Sequence, residues 1–197
     1  MEKCIIEEGG CSAALVRHGN HVWVARNNDL YAPDMWGYVI VRDVAGRIPR
    51  LDFGMEGEVF SGTGINRERL WLHYNWLPTR GSPRADRPHL EGFVWLSEAL
   101  ETCRTLRDVE ALLRRVDRDG GMMIFAMDGK GKTEEAAIYE CTCSAYRKAT
   151  LDTGWIAGTN HYRHFDFDQP QGSASSLRRY RRMQELLTAL MSRERAP

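Results

Sequence analysis

A cysteine after two glycines, Gly9-Gly10-Cys11, opens an apolar segment and stands where backbone freedom ends and a rigid element begins. A thiol so placed is either a nucleophile, active as the thiolate, or a small buried hydrophobe at a strand start, and taken alone the second is the commoner reading. Further along, Ala25-Arg26-Asn27-Asn28-Asp29 puts four polar groups in a row where a half-buried strand would alternate. Gly62-Thr63-Gly64-Ile65-Asn66 and Gly158-Thr159-Asn160-His161 each set an asparagine after glycine. Each has an ordinary reading as turn chemistry beside a functional one. The run Ser175-Ser176-Leu177-Arg178-Arg179-Tyr180-Arg181-Arg182 reads as a capped, solvated helix start or as cations brought to a site.

Positioning these groups requires rigid elements. Ala13 to Val16 and His21 to Ala25 alternate around the turn residues His18-Gly19-Asn20, which predicts a tight hairpin. Gly37 to Val41, Leu51 to Phe60 and Leu70 to Trp76 read as further strands, and Pro78 to Pro88 as a surface loop. The period then changes to helical over Val94 to Cys103, and again over Val109 to Val116 after a Thr105-x-x-Asp108 start. Met122 to Met127 and Glu135 to Glu140 return to strands about the turn Asp128 to Gly131. Trp155 to Gly158 is one more strand, and Leu177 to Met191 a helix with Tyr180, Met183, Leu186, Leu187 and Leu190 on its apolar side. Two sheets with helices outside them, an α+β layered sandwich, accommodate this order.

Composition fits one globular domain: 197 residues, 27 basic and 27 acidic side chains, and 43% apolar residues. A net charge of zero provides no field to hold nucleic acid. The start MEKCIIEEGG has neither the basic nor the apolar part of a secretory signal, and no run reaches the ~18 apolar residues of a membrane span. The expectation is a cytoplasmic protein with its five cysteines reduced.

In their order, Gly10-Cys11-Ser12, Arg26-Asn27-Asn28-Asp29, Gly64-Ile65-Asn66, Glu140, Thr159-Asn160-His161-Tyr162 and Ser176 to Arg182 resemble the N-terminal nucleophile hydrolases of the penicillin acyltransferase type, related to the choloylglycine (bile salt) hydrolases. The resemblance covers Cys11 to about Leu187. It implies a four-layer αββα sandwich of two mostly antiparallel sheets. Relatives continue past the Arg179-type helix with further strands, so it also implies a sheet short of its C-terminal strands. It implies that the chain cuts its own Gly10-Cys11 bond, making residues 1–10 a short propeptide and 11–197 the mature domain. Cys11 would then carry a free α-amine, whose reference pKa of about 7.7–8.0 suits it to take the thiol proton. By the same resemblance Asp29 orients that amine, Arg26 lowers the thiol pKa, Asn160 is the oxyanion donor with Asn66 a second candidate, and Arg179 is the late arginine of the site. The implied partner is a small-molecule amide or acyl donor, with no cofactor, nucleic acid or membrane and with a homo-oligomer left open.

Competing readings are few. A family member that keeps the fold without processing would bind rather than cut, and would hold Cys11 away from Arg26 and Asp29. Cys141, Cys143, His161 and His164 form a conceivable metal set, although Cys-x-Cys and His-x-x-His are not the usual zinc spacings. Gly129-Lys130-Gly131-Lys132-Thr133 lacks the four-residue spacer of a phosphate loop and reads as a hairpin turn. The arginines of 178–182 would suit phosphate or coenzyme A, but a solvated helix face is commoner. Trp71, Tyr74 and Trp76 read as core that, if near a cleft, would contact an apolar acyl group.

Overall fold

A computed structural model describes residues 10–29, 37–55, 59–167 and 172–194, with the main chain alone at 28, 29 and 194. Strands β1 (Gly10–His18) and β2 (His21–Asp29) form the expected hairpin, closed at Gly19, whose φ of 58° is the left-handed value glycine adopts readily. β12 (Trp155–Gly158) pairs antiparallel with the other edge of β1, giving the order β12-β1-β2.

The second sheet is larger. β3 (Gly37–Arg42), β4 (Arg50–Met55), β5 (Thr63–Asn66), β6 (Leu70–Leu77), β9 (Gly121–Asp128), β10 (Glu135–Cys141) and β11 (Tyr146–Thr150) make seven antiparallel strands in the order β11-β10-β9-β6-β5-β4-β3. Two short segments, β7 (His89–Leu90) and β8 (Asp117–Arg118), pair in parallel beside it. Of the strand expected over Leu51 to Phe60, the described part lies in β4; Val59 and Phe60 are outside any strand, and Ser61 donates its hydroxyl back to the Phe53 carbonyl two residues before β5 begins.

Side-chain alternation sorts the strands into layers. Leu70, Leu72, Met122, Ile124, Ala137 and Tyr139 face α1 (Gly92–Thr102) and α2 (Leu106–Arg115), building the largest core with Trp95, Leu96, Leu100, Val109 and Leu113. The alternate residues Trp71, Leu77, Met123, Phe125 and Ile138 meet Ala13, Leu15 and Val22 of the small sheet in a second core between the sheets. A third, thinner core lies on the far side of the small sheet, where Ala14 and Ala157 receive Tyr180, Met183 and Leu187 of α3 (Ala174–Glu194). The result is helix, sheet, sheet, helix: the four-layer αββα arrangement.

Local chemistry explains the helix starts. Thr105 Oγ1 accepts the Asp108 N–H at 3.3 Å and Asp108 Oδ2 accepts the Thr105 N–H at 3.0 Å, a reciprocal cap on α2. Glu91 accepts from the N–H groups of Phe93 and Val94 at the head of α1. Arg118 is wholly buried and donates to the carbonyls of Leu113 and Val116 at the end of α2 and of Thr142 and Ala145 in the β10–β11 turn.

Candidate active site

Cys11 stands second in β1, paired with Asn28, while Ser12 faces Asn27, Ala13 faces Arg26 and Gly10 faces Asp29. The polar stretch of β2 therefore runs alongside the residues around the thiol, which accounts for its failure to alternate. On the other side of β1, the pairing with β12 ends at Ala13 and Gly158, so the chain at Thr159 and Asn160 leaves the sheet next to Cys11. There Asn160 Oδ1 accepts the Cys11 main-chain N–H at 2.8 Å.

Arg179 reaches the same spot from α3. Its guanidinium donates to the Cys11 carbonyl, to Ser12 Oγ at 2.9 Å and to Asn160 Oδ1 at 2.9 Å. Asn160 Nδ2 donates to the Trp76 carbonyl at 2.8 Å, so one side chain joins β1, β6 and α3. A Cβ on Gly10 would collide with the Arg179 guanidinium and lie 3.0 Å from Asn160 Oδ1, so a larger residue there has to displace the arginine from this arrangement. The N–H of the Gly10-Cys11 peptide thus rests on Asn160 Oδ1, with the Arg179 guanidinium beside Gly10.

Burial pushes the Cys11 thiol above its ordinary value of 9.0. Four groups oppose that rise by favouring the thiolate: the Asn160 side chain, a main-chain hydrogen bond from Trp76, and the charges of Arg179 and Arg26. Arg26 also donates to the Phe53 carbonyl at 3.2 Å. The Asp29 side chain lies outside the described residues; its main chain is paired with Gly10.

Asn66 is not part of this group. It is buried at the end of β5, where Nδ2 donates to the carbonyls of Leu100 at 2.9 Å and Cys103 at 2.8 Å, and Oδ1 accepts the N–H groups of Glu68 and Leu70, both at 3.1 Å. Those bonds close the end of α1 and leave the amide no capacity for an oxyanion.

A different asparagine lies near Cys11. Asn75, fully buried in β6, donates to the Thr159 carbonyl at 3.1 Å and more weakly to that of Gly158 at 3.4 Å, and its side chain also hydrogen-bonds His73. The available signal was that His73 and Asn75 put polar groups at alternate positions of a strand otherwise made of large apolar residues. His73, also fully buried, has a pKa lowered to about 4, chiefly by burial and then by the charge of Arg26.

Glu140 is buried and accepts the N–H groups of Arg163 and His164 at 2.9 and 2.8 Å, fixing the turn that follows Asn160. The four residues of the conceivable metal set are dispersed. Cys141 points into the core beneath the helices and Cys143 toward the Gly81 carbonyl, whereas His161 contacts Thr159 and Ser176, and His164 is beside Glu140. Among the described residues no three His, Cys, Asp or Glu side chains come together to hold a metal, and no helix is long and apolar enough to cross a membrane. Trp71 and Tyr74 are buried, as expected of core, while Trp76 is half exposed and with Tyr74, Gly92 and Met122 lines a cavity of about 200 Å³.

The fold has counterparts among solved structures. A mutant of the conjugated bile acid hydrolase from Clostridium perfringens superposes with a TM-score of 0.56 at 14% identity, over 84% of this chain and 64% of that one. A second variant of that hydrolase gives 0.51 at 12% identity, over 73% and 57%. Penicillin V acylase from Agrobacterium tumefaciens gives 0.42 at 14% identity, over 72% and 41%. The first two likenesses concern the fold, and this chain spans less than two thirds of either hydrolase. No curated protein sequence matches the chain. A family model does, over residues 16–196, beginning just after Cys11 and containing the strands, Asn160 and Arg179 described above: the chain belongs to the acyl-coenzyme A:6-aminopenicillanic acid acyl-transferase family.

Proposed function

We propose that the chain is a cysteine N-terminal nucleophile amide hydrolase or acyltransferase, and that it activates itself by cutting the Gly10-Cys11 bond. The observation that carries this reading is the convergence of Asn160 and Arg179 on Gly10, Cys11 and Ser12. In self-cleavage, Cys11 Sγ attacks the Gly10 carbonyl carbon, the C–N bond breaks and its nitrogen takes up a proton. Water then hydrolyses the thioester, releasing residues 1–10 and leaving an α-amine on Cys11.

Before cleavage the thiol has no adjacent amine and burial holds it protonated, so the intact chain is the less reactive form. Afterwards the amine, at the Cys11 nitrogen that Asn160 Oδ1 now accepts from, takes the thiol proton. The thiolate attacks an amide or thioester carbonyl, the leaving group departs with a proton, and water releases the acyl group. Water is the default acceptor, which favours hydrolysis over transfer to an amine. The Asn160 amide and the Trp76 main chain, which favour charge on sulfur in the intact chain, are the donors for the developing oxyanion. Asp29, whose main chain adjoins Gly10, is the candidate for orienting the amine. A free thiol nucleophile suits a reducing cytoplasm.

The test is the intact mass of purified wild type beside Cys11→Ala. Loss of residues 1–10 from wild type alone is the expected result. A folded wild type that keeps them for days would overturn the catalytic reading in favour of a family member that binds without cutting.

A further inference from the structure

Asn160 lies past the last residue of β12, so its main-chain N–H has no strand to pair with. It donates instead to Ser176 Oγ at 2.9 Å. Ser176 sits in the first turn of α3, three residues before Arg179, and is entirely buried. Its hydroxyl also contacts Thr159 Oγ1 at 2.8 Å and His161 Nδ1 at 2.8 Å, while Thr159 Oγ1 donates to the Ser176 carbonyl at 3.0 Å. Three consecutive residues of the loop, Thr159, Asn160 and His161, are thereby gathered on one serine of the helix that brings Arg179 to the same asparagine.

A serine beside an imidazole invites a nucleophile reading, which the burial excludes: Ser176 is 0% exposed, so no carbonyl can reach its oxygen. We infer that Ser176 is a positioning residue, a hub that fixes the Asn160 main chain relative to Arg179 and so sets where the Asn160 amide meets Cys11. Asn75 holds the same loop from the opposite sheet through the Thr159 carbonyl, so the Asn160 backbone is tied on both sides. The inference rests on the proposed role of Asn160. Without the hub, the buried Asn160 N–H loses its acceptor and the loop shifts to find another, and displacements of ~1 Å at a reacting site can cost on the order of 100-fold.

The test compares Ser176→Ala with wild type and with Thr142→Val, which also removes a nearly buried hydroxyl but in the β10–β11 turn. Self-cleavage in Ser176→Ala, followed by intact mass, is expected to slow roughly 10- to 100-fold, and turnover of any substrate found to fall similarly with KM within about twofold. Thr142→Val should match wild type. Compared between chains in the same cleavage state, the pH profile of Cys11 alkylation, read on its peptide by mass spectrometry, should move upward in Ser176→Ala because the Asn160 hydrogen bond favours the thiolate. A folded Ser176→Ala with wild-type cleavage and an unmoved alkylation profile overturns the hub. A wild type that never cleaves overturns the catalytic reading instead, and the alkylation profile still decides the hub. Should Ser176→Ala not fold, amide exchange of wild type decides: Asn160 N–H is expected to be protected, and exchange at the rate of an open loop would overturn the inference.

Discussion

Replacing Asn66 with alanine should weaken the fold and leave the chemistry at Cys11 in place. The side chain makes four hydrogen bonds, and three of its partners, Leu70, Leu100 and Cys103, are nearly inaccessible to water. Alanine leaves those three main-chain groups unsatisfied in the interior, at about 1–1.5 kcal/mol each, for a loss of about 3–5 kcal/mol. That is a large part of the ~5–15 kcal/mol typical of a domain. In urea, with a slope of about 2 kcal/mol per molar, the unfolding midpoint should fall by about 2 M with the slope unchanged. The same samples, held where the variant is fully folded, should lose residues 1–10 at the wild-type rate. A stability loss under about 1 kcal/mol, or a well-folded variant that fails to self-cleave where wild type succeeds, would refute the assignment of Asn66 to the closure of α1.

Gly10→Ala should slow self-cleavage about 5- to 150-fold, because the added methyl displaces Arg179 and crowds Asn160, an overpacking of about 1–3 kcal/mol; an intact-mass time course at the wild-type rate would contradict the close approach. His73 and His161 both have pKa values lowered to about 4, chiefly by burial, so the folded protein resists protonation that the unfolded chain accepts near 6.5. Their contribution to stability is complete above pH 6.5 and is lost as pH falls toward 4. Two protons taken up on unfolding give a slope of about 2.7 kcal/mol per pH unit near pH 5, to be read from urea midpoints at closely spaced pH values. Arg118→Leu should cost about 3–5 kcal/mol by removing the Arg118 donors from the buried carbonyls of Leu113, Val116 and Thr142; denaturant unfolding within 1 kcal/mol of wild type would contradict that role.

Elements defined by local chemistry were legible in the sequence: the hairpin about Gly19, α2 from its Thr105 and Asp108 cap, and the β9–β10 turn. β5 was not, because Gly62 and Gly64 signal a turn. Their lack of a side chain instead makes room for neighbours: a Cβ on Gly64 would sit 2.6 Å from a Leu100 methyl, and one on Gly62 would lie 3.2 Å from the Phe93 ring. β11 is an edge strand whose Arg147 and Lys148 face water, so its Tyr146–Thr150 sequence looks like a loop. At the site, Cys11, Asn160 and Arg179 were found by type and order, and the structure brings them together. Asn66 drew attention through the glycines before it, whereas Asn75 did not, being hidden in an apolar run whose two-sided burial appears only when the second sheet is in place. Ser176 could not be singled out, since a serine opening a helix reads as a cap until the loop it holds is seen against it.

The three cores are unequal, and the thinnest fastens the helix that carries Arg179 and Ser176. Among the described residues, two alanines and a tyrosine are its buried members, against nineteen in the core under α1 and α2. On gentle heating, α3 should therefore peel from the small sheet while the seven-stranded sheet and its helices stay folded. Loss of catalytic competence would then come first, and reversibly, so that a thermogram of activity would run several degrees below one of secondary structure. On the proposed reading, the temperature range of activity would then be set by how firmly α3 is held to the small sheet and its loop rather than by the strength of the fold as a whole.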